Sequence, residues 1–404
     1  MSVISIFNGI FCNEAEVTQE IVANTGHRFI SDEFILEKAS KLSGIQTNQI
    51  MRAFSSKSSV FNQFTYEKEC SIAYLRLALS MELEEDNLII SGYSGLLIPK
   101  TIHHVLRVCL IANRDFRLET AKKKQKLTEE EARHFISDED MNRSAWTNTL
   151  FSKKDPWNPE LYDIVLSMEK TAPAIASALI EENLPKDAVK QTNASRSAVN
   201  DFILATKVEV ALVNAGHNIG VHATNGNIIL TINKKVLMLS RLEDELKSIS
   251  EKIPGVLSVE TCIENGKHPS QNYRKLNNDS PSKVLLVDDE KEFVQTLSER
   301  LQMRDMGSVV AYDGDSALNL VRNDDPEVMI IDLKMPGLDG MEILEEVKHT
   351  KPEIEVIVLT GHGSEKDKIR CMDLGAFAYM QKPVDINILS QTLKKAHKKF
   401  KTSI

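Results

Sequence analysis

No stretch of this sequence carries eighteen uninterrupted apolar residues, so nothing in it predicts a membrane-spanning helix. Cysteine is sparse. The five thiols, at positions 12, 70, 109, 262 and 371, are odd in number and never spaced C-x-x-C. That pattern reads as reduced thiols serving as small buried apolar residues. No basic region followed by an apolar stretch and a small-residue cleavage site opens the chain, so a cytoplasmic location is expected. An excess of positive charge is also lacking: 49 Lys/Arg stand against 58 Asp/Glu, a net of −9. A surface that neutralises nucleic-acid phosphates is therefore not expected, and no helix-turn-helix pattern is visible. Internal repeats and long low-complexity tracts are absent as well.

The opening stretch, "ISIFNGIFCNEAEVTQEIVANTG" (4–26), lacks something more specific. An apolar strand over Val3–Phe7 runs into a short loop at Gly9 and then into a helical pattern, the position of a phosphate-binding loop. A Walker loop starting at Gly9 needs Gly, Lys and Ser/Thr at 14, 15 and 16, where this chain has Glu14, Ala15 and Glu16.

What is present divides the chain into three. At 404 residues two to four domains are expected, and 42% hydrophobic with 26% charged residues is ordinary for a globular protein. The polar stretches 184–197 and 264–282 read as linkers, giving domains at 1–188, 198–265 and 283–404. The last third alternates short β-branched runs with amphipathic helices in five strand–helix units. A doubly wound, five-stranded parallel sheet is expected there, with its site at the carboxyl ends of the strands. Asp288 and Asp289 end the first predicted strand, Asp332 the third, Thr360 the fourth and Lys382 the fifth. Converging carboxylates repel one another unless a cation lies among them, and hard oxygen donors suit Mg²⁺. A carboxylate beside such an ion can attack a phosphoryl group while a lysine and a hydroxyl hold its oxygens.

The strings "LLVDDEKEF", "MIIDLKMPGLDGMEIL", "VIVLTGHGSEKD" and "GAFAYMQKPVD" stand in order, and over 283–404 the chain resembles the receiver domain of two-component response regulators. The resemblance implies that Asp332 is the phosphoacceptor, with Asp288, Asp289, Asp332 and the backbone carbonyl of Lys334 holding Mg²⁺. It implies further that Lys382 pairs with the phosphoryl oxygen, Thr360 is the switch hydroxyl and Tyr379 the aromatic that reorients with it. No member of the set is missing, so an active receiver is expected, served by a histidine kinase or phosphotransfer protein. A homodimer is compatible with that role; the downstream protein partner is not named by any motif. Residues 283–404 hold 17 Lys/Arg and 22 Asp/Glu, a net of −5, and no basic domain precedes them. DNA binding is not expected.

The middle segment reads as helix, hairpin about Asn225-Gly226, helix, and a closing strand after "PGV". In that order it resembles a BON domain, which implies contacts with a partner protein or phospholipid; His217 and His222 are read as packing residues. Over about 1–185 the chain resembles cytidylate-kinase-like proteins of the P-loop nucleoside monophosphate kinase fold. That implies an α/β domain in which Gly9, Asp32, Arg117 and Arg143 mark a nucleotide site. The loop departs from the family, and Tyr93 stands where the family tends to place an arginine. The expectation is a degenerate, non-catalytic kinase fold. The alternative is a receiver-controlled nucleoside monophosphate kinase.

Overall fold

Six residues, Val3–Asn8, form the first strand β1, and five of them are buried in succession. Such burial on both faces is what a central parallel strand requires. The computed structural model describes residues 2–232, 239–263, 280–361 and 363–403. The chain forms two units, one of residues 1–58 and 67–274, the other of 59–66 and 275–404.

In the first unit β1 is followed by α1 (Glu14–Thr25), β2 (Arg28–Ser31), α2 (Asp32–Ser43) and α3 (Thr47–Met51). A four-residue helix, α4 (Asn62–Thr65), belongs to the second unit; the first then resumes with α5 (Glu67–Glu82). There follow β3 (Leu88–Ser91), β4 (Val105–Ile111), α6 (Arg114–Gln125), α7 (Glu129–Phe151), β5 (Ile164–Ser167) and α8 (Pro173–Asn183). The sheet order is β2-β3-β1-β4-β5, with every pairing parallel. The largest buried side chain, Trp146 of α7, packs with Phe7, Phe54 and Ile90 in the core on one face.

Helix α9 (Asn193–Asn214) starts on a capping box between Thr192 and Ser195. The linker expected over 184–197 therefore ends at 192, and the helix carries chain continuity into the middle segment. Val199, Phe202 and Ile203 of α9 join the core of the parallel sheet, whereas Ala205, Val208 and Leu212 join a second core. That second core is closed by β6 (Gly220–Thr224), β7 (Asn227–Ile232), α10 (Leu239–Ser250) and β8 (Ser258–Ile263). β6 and β7 pair antiparallel about Asn225 and Gly226, both at positive φ (49° and 83°), as the Asn-Gly dipeptide requires of a primed turn. β8 pairs parallel to β7. The expected linker 264–282 lies outside the described residues up to 279.

The second unit contains β9 (Val284–Val287), α11 (Lys291–Gln302), β10 (Ser308–Ala311), α12 (Gly314–Asp324), β11 (Val328–Ile331), α13 (Gly340–Thr350), β12 (Glu355–Thr360), α14 (Glu365–Asp373), β13 (Ala378–Gln381) and α15 (Ile386–Ser403). All pairings in the order β10-β9-β11-β12-β13 are parallel, which is the doubly wound sheet the alternating pattern predicts. Strand β9 shows the period-2 logic: Leu285 and Val287 join the core under α12 and α13, while Val284 and Leu286 join the core under α11 and α15. The strand order reverses between β9 and β11, so a crevice opens at their carboxyl ends.

Candidate functional site

That crevice is where the acidic residues meet. Asp288 follows β9, Asp332 follows β11, Thr360 is the last residue of β12 and Lys382 follows β13. The Lys382 Nζ lies 2.7 Å from Asp288 Oδ2, 2.8 Å from Asp332 Oδ2 and 3.1 Å from Glu290 Oε1. The Asp288 and Asp332 side chains are nearly inaccessible, whereas Glu290 reaches in from solvent at 65% exposure. Burial alone raises the Asp332 carboxyl. Hydrogen bonds from Lys382 and Thr360 and the lysine charge outweigh it, and the group ends below the usual carboxylate range. Burial wins at Asp288, which is raised despite its bond to Lys382. The Lys382 ammonium is raised, because its hydrogen bonds to Asp288, Asp332 and Glu290 more than offset its own burial. One ammonium shared by three carboxylates leaves a net charge of about −2 if all are ionised, and Asp288 carries the penalty. Asp332 stays ionised and accepts the Lys334 N–H at 3.3 Å.

Oxygens of Asp288, Glu290 and Asp332 all lie within 4.8 Å of one another. Three hard anionic donors this close, with excess negative charge, fit a divalent cation such as Mg²⁺. Asp289, expected among the metal ligands, lies between Asp288 and Glu290 in sequence, and Glu290 joins Asp288 and Asp332 in this trio. The only sequence signal for Glu290 was its place in the acidic run "VDDE". Two glycines bound the crevice. A Cβ on Gly340 would lie 2.0 Å from the carbonyl oxygen of Asp332, so α13 can start against the Asp332 loop only with glycine at that position. A Cβ on Gly363 would strike the Tyr379 hydroxyl, which is buried and has no hydrogen-bond partner among the described residues. Tyr379 and Thr360, expected to act together, are thus adjacent.

The first unit holds a second cavity, of about 330 Å³, lined in part by Asn8, Glu14, Asp32, Glu33, Tyr93 and Arg143. Its loop has neither the glycines nor the lysine of a phosphate cradle. Phe11 and Asn13 adopt positive φ (64° and 56°) there, a region that non-glycine residues enter at a cost. Glu14 takes a hydrogen bond from Ser91 and is raised by burial; Glu16 is paired to Lys124. Both arginines are engaged within the fold. Arg117 is buried, makes a bidentate pair with Asp140 at 2.8 Å and donates to the Ile10 carbonyl at 2.9 Å. Arg143 donates to the Asn8 carbonyl at 2.7 Å and to Glu139 at 2.6 Å, and lies over the Tyr93 ring. The guanidinium groups thus hold the carbonyls of the loop that would face a phosphate. Gly9 packs between Cys12 and Arg117. Of the four positions expected to mark a nucleotide site, Asp32 and Arg143 line the cavity, whereas Gly9 and Arg117 serve the closed loop.

Asp32 accepts the N–H groups of Tyr93 (2.7 Å) and Ser94 (2.8 Å) and so caps the short turn Ser94–Leu97. Burial, resisted by those bonds, pushes its carboxyl up to about 6. A raised acid contributes its stability below the ordinary carboxylate value, and that contribution is lost as pH rises through about 6. The unfolding free energy of wild type minus that of Asp32→Asn should accordingly fall between about pH 4 and pH 7, by up to roughly 3 kcal/mol. Parallel denaturant titrations across that range check it, and a flat difference contradicts it.

A model of the response regulator receiver domain matches residues 284–394, and a model of the cytidylate kinase-like family matches residues 3–170. Among solved structures, a response regulator receiver domain protein from Clostridium thermocellum is 35% identical; the match covers 30% of this chain and 98% of that one, with a TM-score of 0.29. A Francisella response regulator receiver domain is 30% identical, covering 31% of this chain and 100% of that one, with a TM-score of 0.28. The beryllofluoride-activated NtrC4 receiver domain, described as a dimer, is 29% identical, covering 29% and 97%, with a TM-score of 0.28.

Proposed function

We propose that this chain is a phosphorelay response regulator whose output runs through its N-terminal modules; matches to a receiver-domain model over 284–394 and to a cytidylate kinase-like model over 3–170 support the reading. The observation that carries this reading is Lys382 joined to Asp332, Asp288 and Glu290 at the strand ends.

Asp332 is the nucleophile. Its ionised carboxylate oxygen attacks the phosphorus of a phosphohistidine on a histidine kinase or phosphotransfer protein; a P–O bond forms and the P–N bond breaks, with the electron pair and a proton going to the imidazole. Lys382 then follows the new negative charge, exchanging part of its bond to Asp332 for one to a phosphoryl oxygen. Thr360, already hydrogen-bonded to Asp332, gains a phosphoryl oxygen as partner. Mg²⁺ would be held by Asp288, Asp289, Asp332 and the Lys334 carbonyl, with Glu290 beside them, and would neutralise charge developing on the transferring group. The contact Thr360 makes only in the phosphorylated state is the differential interaction a population shift requires. Tyr379, beside it, turns with it, and α14 with its exposed Ile369 and Met372 is the face expected to change self-association or partner binding.

The kinase-like domain acts as a non-catalytic module, since its arginines are held by Asp140 and Glu139 and its loop offers carboxylates. The BON-like segment serves as a protein-contact module in a cytoplasmic chain. Affinity capture from a lysate, with the full chain held in beryllofluoride or left free, tests the output. Proteins retained in one state and lost in the other, and not retained by Asp332→Ala, support the reading. Identical sets in the two states count against it.

A further inference from the structure

We propose that residues 59–66 are a docking element built into the receiver, and that the state of Asp332 changes how tightly this element is held. The proposal rests on the phosphoacceptor reading above. The segment belongs to the second unit although Ser58 and Glu67, on either side of it, belong to the first. Phe61 is fully buried and Phe64 nearly so, both in one apolar cluster with Leu285, Val287, Leu318 and Val321. The Val60 N–H donates to the Asp324 carboxylate at 3.0 Å, and Asp324 is itself buried at the end of α12. A Cβ on Gly307 would lie 2.2 Å from the Ser282 carbonyl oxygen and 2.6 Å from the Cβ of Phe64, so only glycine leaves room for both that backbone and this ring. Two buried phenylalanines, a satisfied backbone N–H and a glycine cut to fit describe an occupied site, not a passing contact.

The same cluster contains Leu333, which directly follows Asp332, and Met335, three residues beyond it. Helix α12 joins the two places. Its first residue, Gly314, is pressed against Leu338 of the Asp332 loop, since a Cβ there would lie 2.7 Å from the Leu338 Cβ. Its last residue, Asp324, holds Val60. Close-packed cores respond to a displaced loop by moving between discrete arrangements, so a change at Leu333–Leu338 is felt along α12. Coupling of this kind is reciprocal: what phosphorylation does to docking, docking does to phosphorylation.

Hydrogen exchange on the full chain, with Mg²⁺ and with or without beryllofluoride, reads the coupling directly. The amides of 60–65 should change their exchange rate at least about threefold, alongside those near Thr360. A response near Thr360 with none at 60–65 overturns the proposal while leaving the phosphoacceptor reading intact, because a purely structural plug exchanges alike in both states. No response at either place removes both. Val60→Pro removes the donated N–H and restrains the backbone around it, and Phe61→Ala deletes a ring. In a folded variant the beryllofluoride midpoint should shift at least about threefold from wild type. Midpoints equal to wild type in both variants also overturn it.

Discussion

Asp332→Ala is expected to take up no phosphoryl label from Mg²⁺ and acetyl phosphate, a fall of at least about a hundredfold against wild type. Asp332 is the one carboxylate of the crevice that meets Lys382, the Thr360 hydroxyl and the Lys334 N–H together. Its carboxyl is pushed below the usual range, so it stays ionised at physiological pH, as the proposed nucleophile must. Asp288→Ala should slow labelling roughly tenfold or more, because it removes a charge needed to hold the metal. Asp289→Ala and Glu290→Ala form an informative pair. Asp289 is an expected metal ligand, so its variant should lose more of the Mg²⁺ dependence than the Glu290 variant, because the developing charge goes unneutralised. Filter-bound label at matched times measures all four, and label persisting in Asp332→Ala would remove the assignment.

Sequence reasoning brings Asp288, Asp332, Thr360 and Lys382 to one crevice because all four sit at strand ends, and strand ends are local features. A β-branched run followed by Asp332, or by Lys382 and a proline, places those side chains at the sheet edge whatever lies elsewhere. Glu290 escaped because its membership is decided by Lys382, 92 residues away, crossing from β13 to meet it. The Phe61 and Phe64 segment escaped for a related reason. Two phenylalanines in a short polar run look like local core, and nothing in 59–66 says that their partners lie beyond residue 284. "QTNASRS" reads as polar linker in sequence, whereas Thr192 and Ser195 cap α9 there. Asp32, which the resemblance places near a nucleotide, lines the first unit's cavity and also accepts the N–H groups of Tyr93 and Ser94. Gly92 explains why it can: at φ 110° and with no side chain, it lets the Asp32 carboxylate approach to where a Cβ would be 2.0 Å away.

The full chain is expected to show no appreciable phosphoryl transfer from ATP to CMP or to any other common nucleoside monophosphate. Phosphoryl transfer is catalysed by positioning and by charge neutralisation, and each requirement fails at a named residue. Ala15 stands where a loop lysine would meet the phosphates, which removes a contact that strengthens in the transition state. Glu14 and Glu16 open α1 where the helix N-terminus would otherwise attract an anion. A phosphate within about 4–6 Å of an ionised Glu14 meets a repulsion of a few kcal/mol in a partly buried site. Burial raises Glu14, so protonation relieves some of that repulsion as pH falls, but no positive charge replaces it. Arg117 and Arg143 could supply one only by leaving Asp140, Glu139 and the carbonyls of Ile10 and Asn8. Breaking this bidentate pair leaves the buried Arg117 to find a new partner and Asp140, 33% exposed, to turn to solvent, at a cost below the roughly 3–5 kcal/mol of a fully buried pair. Weak nucleotide binding is compatible with this account; turnover is not. Coupled ADP release measured on the full chain decides it. A rate near one per second that disappears in Arg143→Ala would show a working kinase, with the two arginines free to leave their carboxylates after all.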